Sequence, residues 1–155
     1  MRETKADEAH KLYECLESMG EHHNKVSVYF KGHYPTITSK QLIEDFIREL
    51  NEGKGYIAVA EEDGNIAGFC EITTEGKEGV LDYLAVLEDR RGKGYGKNLI
   101  EWSFEKFREL GVENIEVKVV YGNGVIELYK KYGFREKSII LRTSIKDQDE
   151  LLNNR

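Results

Sequence analysis

The chain has 155 residues, 39% of them apolar, with nine Tyr, six Phe and a single Pro, which suits one domain with a real core and excludes a disordered chain. A formal net charge of −6 disfavours non-specific nucleic-acid binding and mildly favours a cationic partner, although acidity also serves plain solubility. No apolar run nears the roughly 20 residues of a membrane span, and the polar start MRETKADEAHK lacks a secretory segment, so a cytoplasmic protein is expected.

The spacing of Ala9, Leu12, Tyr13, Leu16 and Met19 predicts a helix over 6–19, opened by a Thr4/Asp7 capping box and ended by Gly20. An irregular segment follows, in which Val26, Val28 and Phe30 alternate like a short strand or extended loop. Here His22, His23 and His33 cluster with Tyr29 and Tyr34; adjacent histidines make no metal motif, and a surface loop is the plainer expectation. A second helix is predicted over 39–51, with Leu42, Ile43, Phe46, Ile47 and Leu50 on one side and Gly53 closing it. YIAVAE, the turn EDGN and IAGFCEI read as a hairpin, and the loop TTEGKEG leads to a third strand over 80–87. Cys15 and Cys70 fall in apolar patterns and are expected to be reduced and buried.

Beyond the glycine-rich RRGKGYG, a helix is predicted to about Leu110, then a strand over 114–120, a helix over 124–132 and a last strand over 139–145. The tail DQDELLNNR reads as a short helix or a frayed end. Hairpins first and β-α-β later imply an α/β (α+β) fold with a mixed sheet covered by helices on both faces, in one domain spanning 1–155.

The chemistry concentrates at the turn between the third strand and its helix. Gly92, Gly94 and Gly96 let backbone amides approach a ligand without Cβ clashes, and the helix start adds unpaired N–H groups and the positive end of its dipole. With Arg91, Lys93 and Lys97 nearby this suits a diphosphate. Walker A spacing fails, because Lys97 precedes Asn98 rather than Ser or Thr, and GxGxxG fails for want of its third glycine. A plain glycine-rich connection is the bland alternative.

R-x-x-G-x-G from Arg91 to Gly96, after a strand ending Leu84-Ala85-Val86, resembles the coenzyme A motif of the GNAT superfamily of N-acetyltransferases. Downstream, the segment from Asn123 through Tyr129 to Gly133-Phe134 is similar to that family's N-x-x-A-x-x-x-Y-x-x-x-G-F, with Val125 and Ile126 around the usual Ala. The likeness covers 56–134. It implies acetyl-CoA as co-substrate, no metal, and acetyl transfer to a primary amine, a small cationic metabolite being favoured, by direct attack through a tetrahedral intermediate. It also implies that pantetheine pairs with Leu84, Ala85 and Val86, that the Val86 amide polarises the thioester, and that the diphosphate rests on Gly92, Lys93, Gly94, Tyr95, Gly96 and Lys97, with Arg91, Asn123 and Tyr129 completing the cofactor site. Tyr129 matches the proton donor to the thiolate, with core packing as its alternative role. Asp82 and Glu71 are the candidate bases, and either could be a solvated carboxylate at a strand end. Protein α-amino or lysine acetylation, and a non-catalytic acyl-CoA sensor, are the other readings. The sequence departs from the family in a first strand reduced to MRET and in the short step from Phe134 to the last strand. An exposed edge and an edge-paired homodimer are therefore expected.

Overall fold

The computed structural model describes Met1–Asn154. The chain forms two compact units, one over Met1–Asn123 and one from Gly124 onward. The first unit contains a five-stranded sheet in the order β1 (Arg2–Glu3), β2 (Gly55–Glu62), β3 (Asn65–Glu75), β4 (Glu78–Val86) and β5 (Asn114–Val117). All neighbours are antiparallel except β4 and β5, so the sheet is mixed and mostly antiparallel.

A 3-10 helix over Ala6–Leu12 runs into α1 (Tyr13–Val26), and α2 covers Ser39–Asn51. These helices bury Leu12, Cys15, Leu16, Leu42 and Phe46 against Ile57, Val59, Phe69 and Ala85 on one face of the sheet. On the opposite face lies α3 (Tyr95–Glu109), whose Leu99, Ile100 and Phe107 are buried. Phe107 packs so closely over β4 that a Cβ on Gly79 would lie 2.5 Å from its ring. Both cysteines are free and buried.

Several boundaries differ from the sequence expectation for physical reasons. The capping interaction sits one residue later than Thr4/Asp7, with Lys5 at the cap and Glu8 reaching back; Glu8 also accepts from Thr4 Oγ1 at 3.0 Å and pairs with Arg2 at 2.9 Å. Gly20 does not end the first helix, which continues six residues to Val26. Its role is close approach instead, since a Cβ there would stand 3.2 Å from Pro35 Cδ. The expected extended stretch from Val26 is therefore helix end and then loop, and His22 and His23 are helical rather than on a loop. The loop is tied to α1 by Asn24, whose Oδ1 accepts from the N–H groups of Gly32 and Tyr34 at 2.9 Å each.

The β2–β3 turn is the two-residue Asp63-Gly64, with φ of 53° and 81°, the left-handed pair that a tight hairpin selects. β3 and β4 are longer than expected and close on Gly76-Lys77, Glu75 pairing with Glu78. β5 is shorter, ending at Val117.

The unit from Gly124 onward holds α4 (Val125–Lys131) and α5 (Ile145–Asn153), the latter capped by Ser144, whose Oγ accepts from Asp147 N–H at 3.1 Å. The expected strand over 139–145 is absent. Among the described residues this unit has no other strand to supply ladder bonds, and Ile139, Ile140 and Leu141 stand 81%, 81% and 90% exposed.

Gly68 keeps β3 and β4 in register at a crowded point, because a Cβ there would lie 2.6 Å from the Ala85 carbonyl oxygen. Gly68→Ala should therefore destabilise the protein by about 1–3 kcal/mol in denaturant titration. An unchanged midpoint would show that the strands tolerate the extra atom.

Candidate active site

The site begins where β4 loses one neighbour. β4 pairs with β5 only from Glu78 to Leu81, whereas it follows β3 up to Val86. At the departure point the β3 ladder passes from Tyr83 to Leu81 and leaves Asp82 unmatched, a β-bulge. Leu87 N–H donates to the Ala67 carbonyl of β3 at 2.8 Å. Strand alternation then turns the N–H groups of Leu84 and Val86 away from β3, toward the edge that β5 has vacated. Ala85, between them, points its side chain into the α1/α2 core.

After β4 the chain makes the glycine-rich turn. Gly92 and Gly94 have φ of 77° and 87°, and neither would meet an atom within 4 Å with a Cβ added, so the backbone here faces open space. Gly94 is the N-cap of α3, and Asn98 N–H makes the first helical bond, to the Gly94 carbonyl at 3.1 Å. The N–H groups of Tyr95, Gly96 and Lys97 thus have no acceptor within the helix and present its positive end.

The basic side chains of the turn have partners of their own. Lys93 Nζ pairs with Glu62 at 2.6 Å, and Arg90 binds the same carboxylate. Arg91 Nε donates to the Val86 carbonyl at 3.1 Å, while its terminal nitrogen lies 3.4 Å from His22 Nδ1. Lys97 is exposed, 3.8 Å from Glu101. His22, which also hydrogen-bonds Asn123, is held below the usual histidine value by burial and by Arg91. The sequence placed His22 in a loop cluster; the continued helix brings it to the turn. His23 and His33 instead pack edge-on against Tyr34, at 5.4 and 5.3 Å.

On the α2 face, beside the bulge, three carboxyl groups gather. Asp82 reaches solvent and accepts a 2.6 Å hydrogen bond from Thr73 Oγ1. Lost hydration pushes it up to about 6, the Thr73 bond opposing and nearby Glu49 reinforcing the shift. Glu71, cross-strand from Tyr83, is 1% exposed. Its Oε1 and Oε2 of Glu49 are buried with no other hydrogen-bond donor at hand, each 3.4 Å from where a Cβ on Gly55 would stand. Two such oxygens attract only with a proton between them. Burial first, and then the contact with Glu49 and the charges of Glu49, Asp82 and Asp45, push Glu71 up to about 11. Sequence reading passed over Glu49, though it sits three residues after Phe46 and seven after Leu42, an acid on the buried side of an amphipathic helix.

In the other unit Tyr129 lies on α4, 4% exposed, with its ring 5.5 Å from that of Phe134.

With this geometry in view, the chain belongs to the acetyltransferase (GNAT) family, whose model matches residues 16–134. It is 30% identical over 109 residues to an N-alpha-acetyltransferase of Sulfurisphaera tokodaii, a match covering 61% of this chain and 65% of that one. It is 32% identical over 90 residues to a ribosomal protein bS18 alanine N-acetyltransferase of Haemophilus influenzae, covering 57% and 62%. The chain thus spans less than two thirds of either relative. Among solved structures, the PaiA N-acetyltransferase of Thermoplasma acidophilum in complex with coenzyme A superposes with a TM-score of 0.76 at 17% identity, over 90% of this chain and 91% of that one.

A glutamate that stays protonated when folded but ionises when unfolded costs stability as pH rises above the ordinary 4.5 toward about 11. Glu71→Gln, which cannot ionise, should match the wild type in Tm at about pH 4 and exceed it increasingly toward about pH 9. A Tm difference independent of pH would contradict the buried, protonated state.

Proposed function

We propose that the chain is an acetyl-CoA-dependent N-acetyltransferase, working as one GNAT-type domain, that transfers acetyl to the primary amine of a small cationic metabolite. The observation that carries this reading is the run of outward-facing amides, Leu84 and Val86 on the vacated edge of β4 and then Tyr95, Gly96 and Lys97 at the start of α3. The first pair suits an extended amide-bearing arm such as pantetheine, and the second set, with Gly92 and Gly94 opening the backbone, suits a diphosphate. When bound, acetyl-CoA supplies an acetyl thioester as the electrophile.

The residues then have these parts. The Val86 amide would hold the thioester oxygen and stabilise negative charge on it. Arg91, held over the Val86 carbonyl, and Lys97 would stand near the phosphates, with Asn123 beside them through its bond to His22. An alkylamine with pKa near ~10.4 must lose a proton before it attacks, at a cost of about 4 to 5 kcal/mol near neutral pH. Asp82 is the base in this reading, since a carboxyl near 6 is ionised at neutral pH and lies at the bulge where the edge opens. Glu71, buried and protonated, is unsuited to that task. As the new C–N bond formed and the C–S bond broke, Tyr129 would give its proton to the departing thiolate and recover one from the nitrogen, which sheds its second proton to become the amide.

The names of the two sequence relatives favour a second acceptor class, a protein α-amino group. The carboxyl cluster beside the bulge favours the small cation. We also propose a homodimer, supported by the exposed run Ile139-Ile140-Leu141 and the short edge strand β5.

Release of free coenzyme A with an amine panel and a peptide panel tests the acceptor class, and peptide-only turnover would remove the metabolite reading. Asp82→Asn should lower kcat by at least about 10²-fold and abolish the rise of kcat/KM through about pH 6; an unchanged profile would remove Asp82 as base. Tyr129→Phe should lower turnover at least about tenfold, and an unchanged rate would leave Tyr129 a packing residue.

A further inference from the structure

We infer that His22 is a positioning residue of the coenzyme site: it ties the Arg91 guanidinium and the Asn123 side chain into one frame, so that Arg91 meets the diphosphate already oriented. This rests on the coenzyme reading of the glycine-rich turn and deepens it.

The frame joins three parts of the first unit. α1 brings His22, the glycine-rich turn brings Arg91, and the turn after β5 brings Asn123. The first and last of these are seated closely on each other. A Cβ on Gly122 would run into the Val26 carbonyl oxygen, and Val28 N–H donates to the Tyr121 carbonyl at 3.3 Å. Asn123 N–H donates to the Val120 carbonyl at 2.9 Å and closes its turn.

Donors and acceptors fix the state of the half-buried His22 ring. A guanidinium has donors only, so the Nδ1 that lies 3.4 Å from Arg91 Nη1 carries a lone pair. A neutral imidazole then has its proton on Nε2. The bond with Asn123 favours the charged ring, as a bond given by an imidazole N–H does, so the Asn123 carboxamide oxygen accepts it. Burial and Arg91 keep the imidazole neutral, while nearby Lys25 and Glu88 pair with each other at 3.8 Å. His22 is thus an acceptor on one side and a donor on the other.

Arg91 is exposed, and an arginine without a hold loses rotamer freedom when an anion fixes it. Here Nε donates to the Val86 carbonyl at 3.1 Å and Nη1 to His22, which sets the plane of the fork at the end of β4. The fork keeps further N–H groups, and in one fixed plane they suit two phosphate oxygens at once. Arg90, Lys93 and Lys97 each have a carboxylate partner. The partners of Arg91 are a carbonyl and a neutral ring, so its charge stays available to a ligand.

The test is calorimetric titration of the full chain with coenzyme A at about pH 8, where histidine is neutral. His22→Leu should weaken binding at least about fivefold, the cost of ordering a long side chain. His22→Asn, whose side-chain oxygen can stand in for Nδ1, should stay within about twofold of the wild type. In an Arg91→Ala background His22→Leu should cost less than about twofold, because the two side chains act as a unit. Imidazole nitrogen shifts of the labelled wild type, which need no variant to fold, should show the His22 proton on Nε2. Unchanged binding by His22→Leu, equal losses from the Leu and Asn variants, an equal cost in both backgrounds, or a proton on Nδ1 would each overturn the inference. Those results leave the coenzyme site standing wherever the wild type binds coenzyme A. A wild type that does not bind it would overturn that reading and this inference together.

Discussion

The structure depends on the unequal edges of β4. One edge keeps β3 as partner to Val86, whereas the other loses β5 after Leu81. Backbone amides of a strand seek partners, and a stretch left without one is a place where an extended ligand can stand in for the missing strand. The bulge at Asp82 marks this change of partner. It gives the strand one unmatched residue at the point of departure and sets the register in which Leu84 and Val86 turn their N–H groups outward.

Charge follows the same strand. At its end, left-handed Gly92 and Gly94 and the first turn of α3 gather amides that attract anions, with Arg91 and Lys97 close by. At the bulge, on the α2 face, Asp82 presents a solvent-reaching carboxylate that attracts cations, beside the buried pair of Glu49 and Glu71. Glu62 keeps these tendencies apart by taking up Lys93 and Arg90 at the hairpin end. An anionic cofactor and a cationic acceptor would thus be drawn to different stretches of a strand only nine residues long. That division is the physical content of the transferase reading.

Much of this was legible in the sequence because it is governed locally. Asp63-Gly64 announces a tight hairpin, Gly53 closes α2, and the glycines at 92, 94 and 96 announce close backbone approach between a strand and a helix. What escaped was decided by distant partners. Gly20 looks like a helix stop, but Pro35, fifteen residues on, makes it a packing glycine and lets α1 carry His22 to Arg91. Ile139, Ile140 and Leu141 have strand character but, among the described residues, no strand to pair with in their own unit, and they remain exposed. Glu49 was hidden because an acid on a helix reads as solvated until β3 sets Glu71 against it.

The central claim is that backbone amides of β4 and of the start of α3 hold the coenzyme. It is tested most directly by proton–nitrogen correlation spectra of the labelled protein during titration with coenzyme A. The account expects the largest shifts at the amides of Leu84 and Val86 and at those of residues 92–97, with β1 and β2 nearly unmoved. Spectra that stay unchanged to millimolar coenzyme, or that move chiefly at other amides, would contradict it.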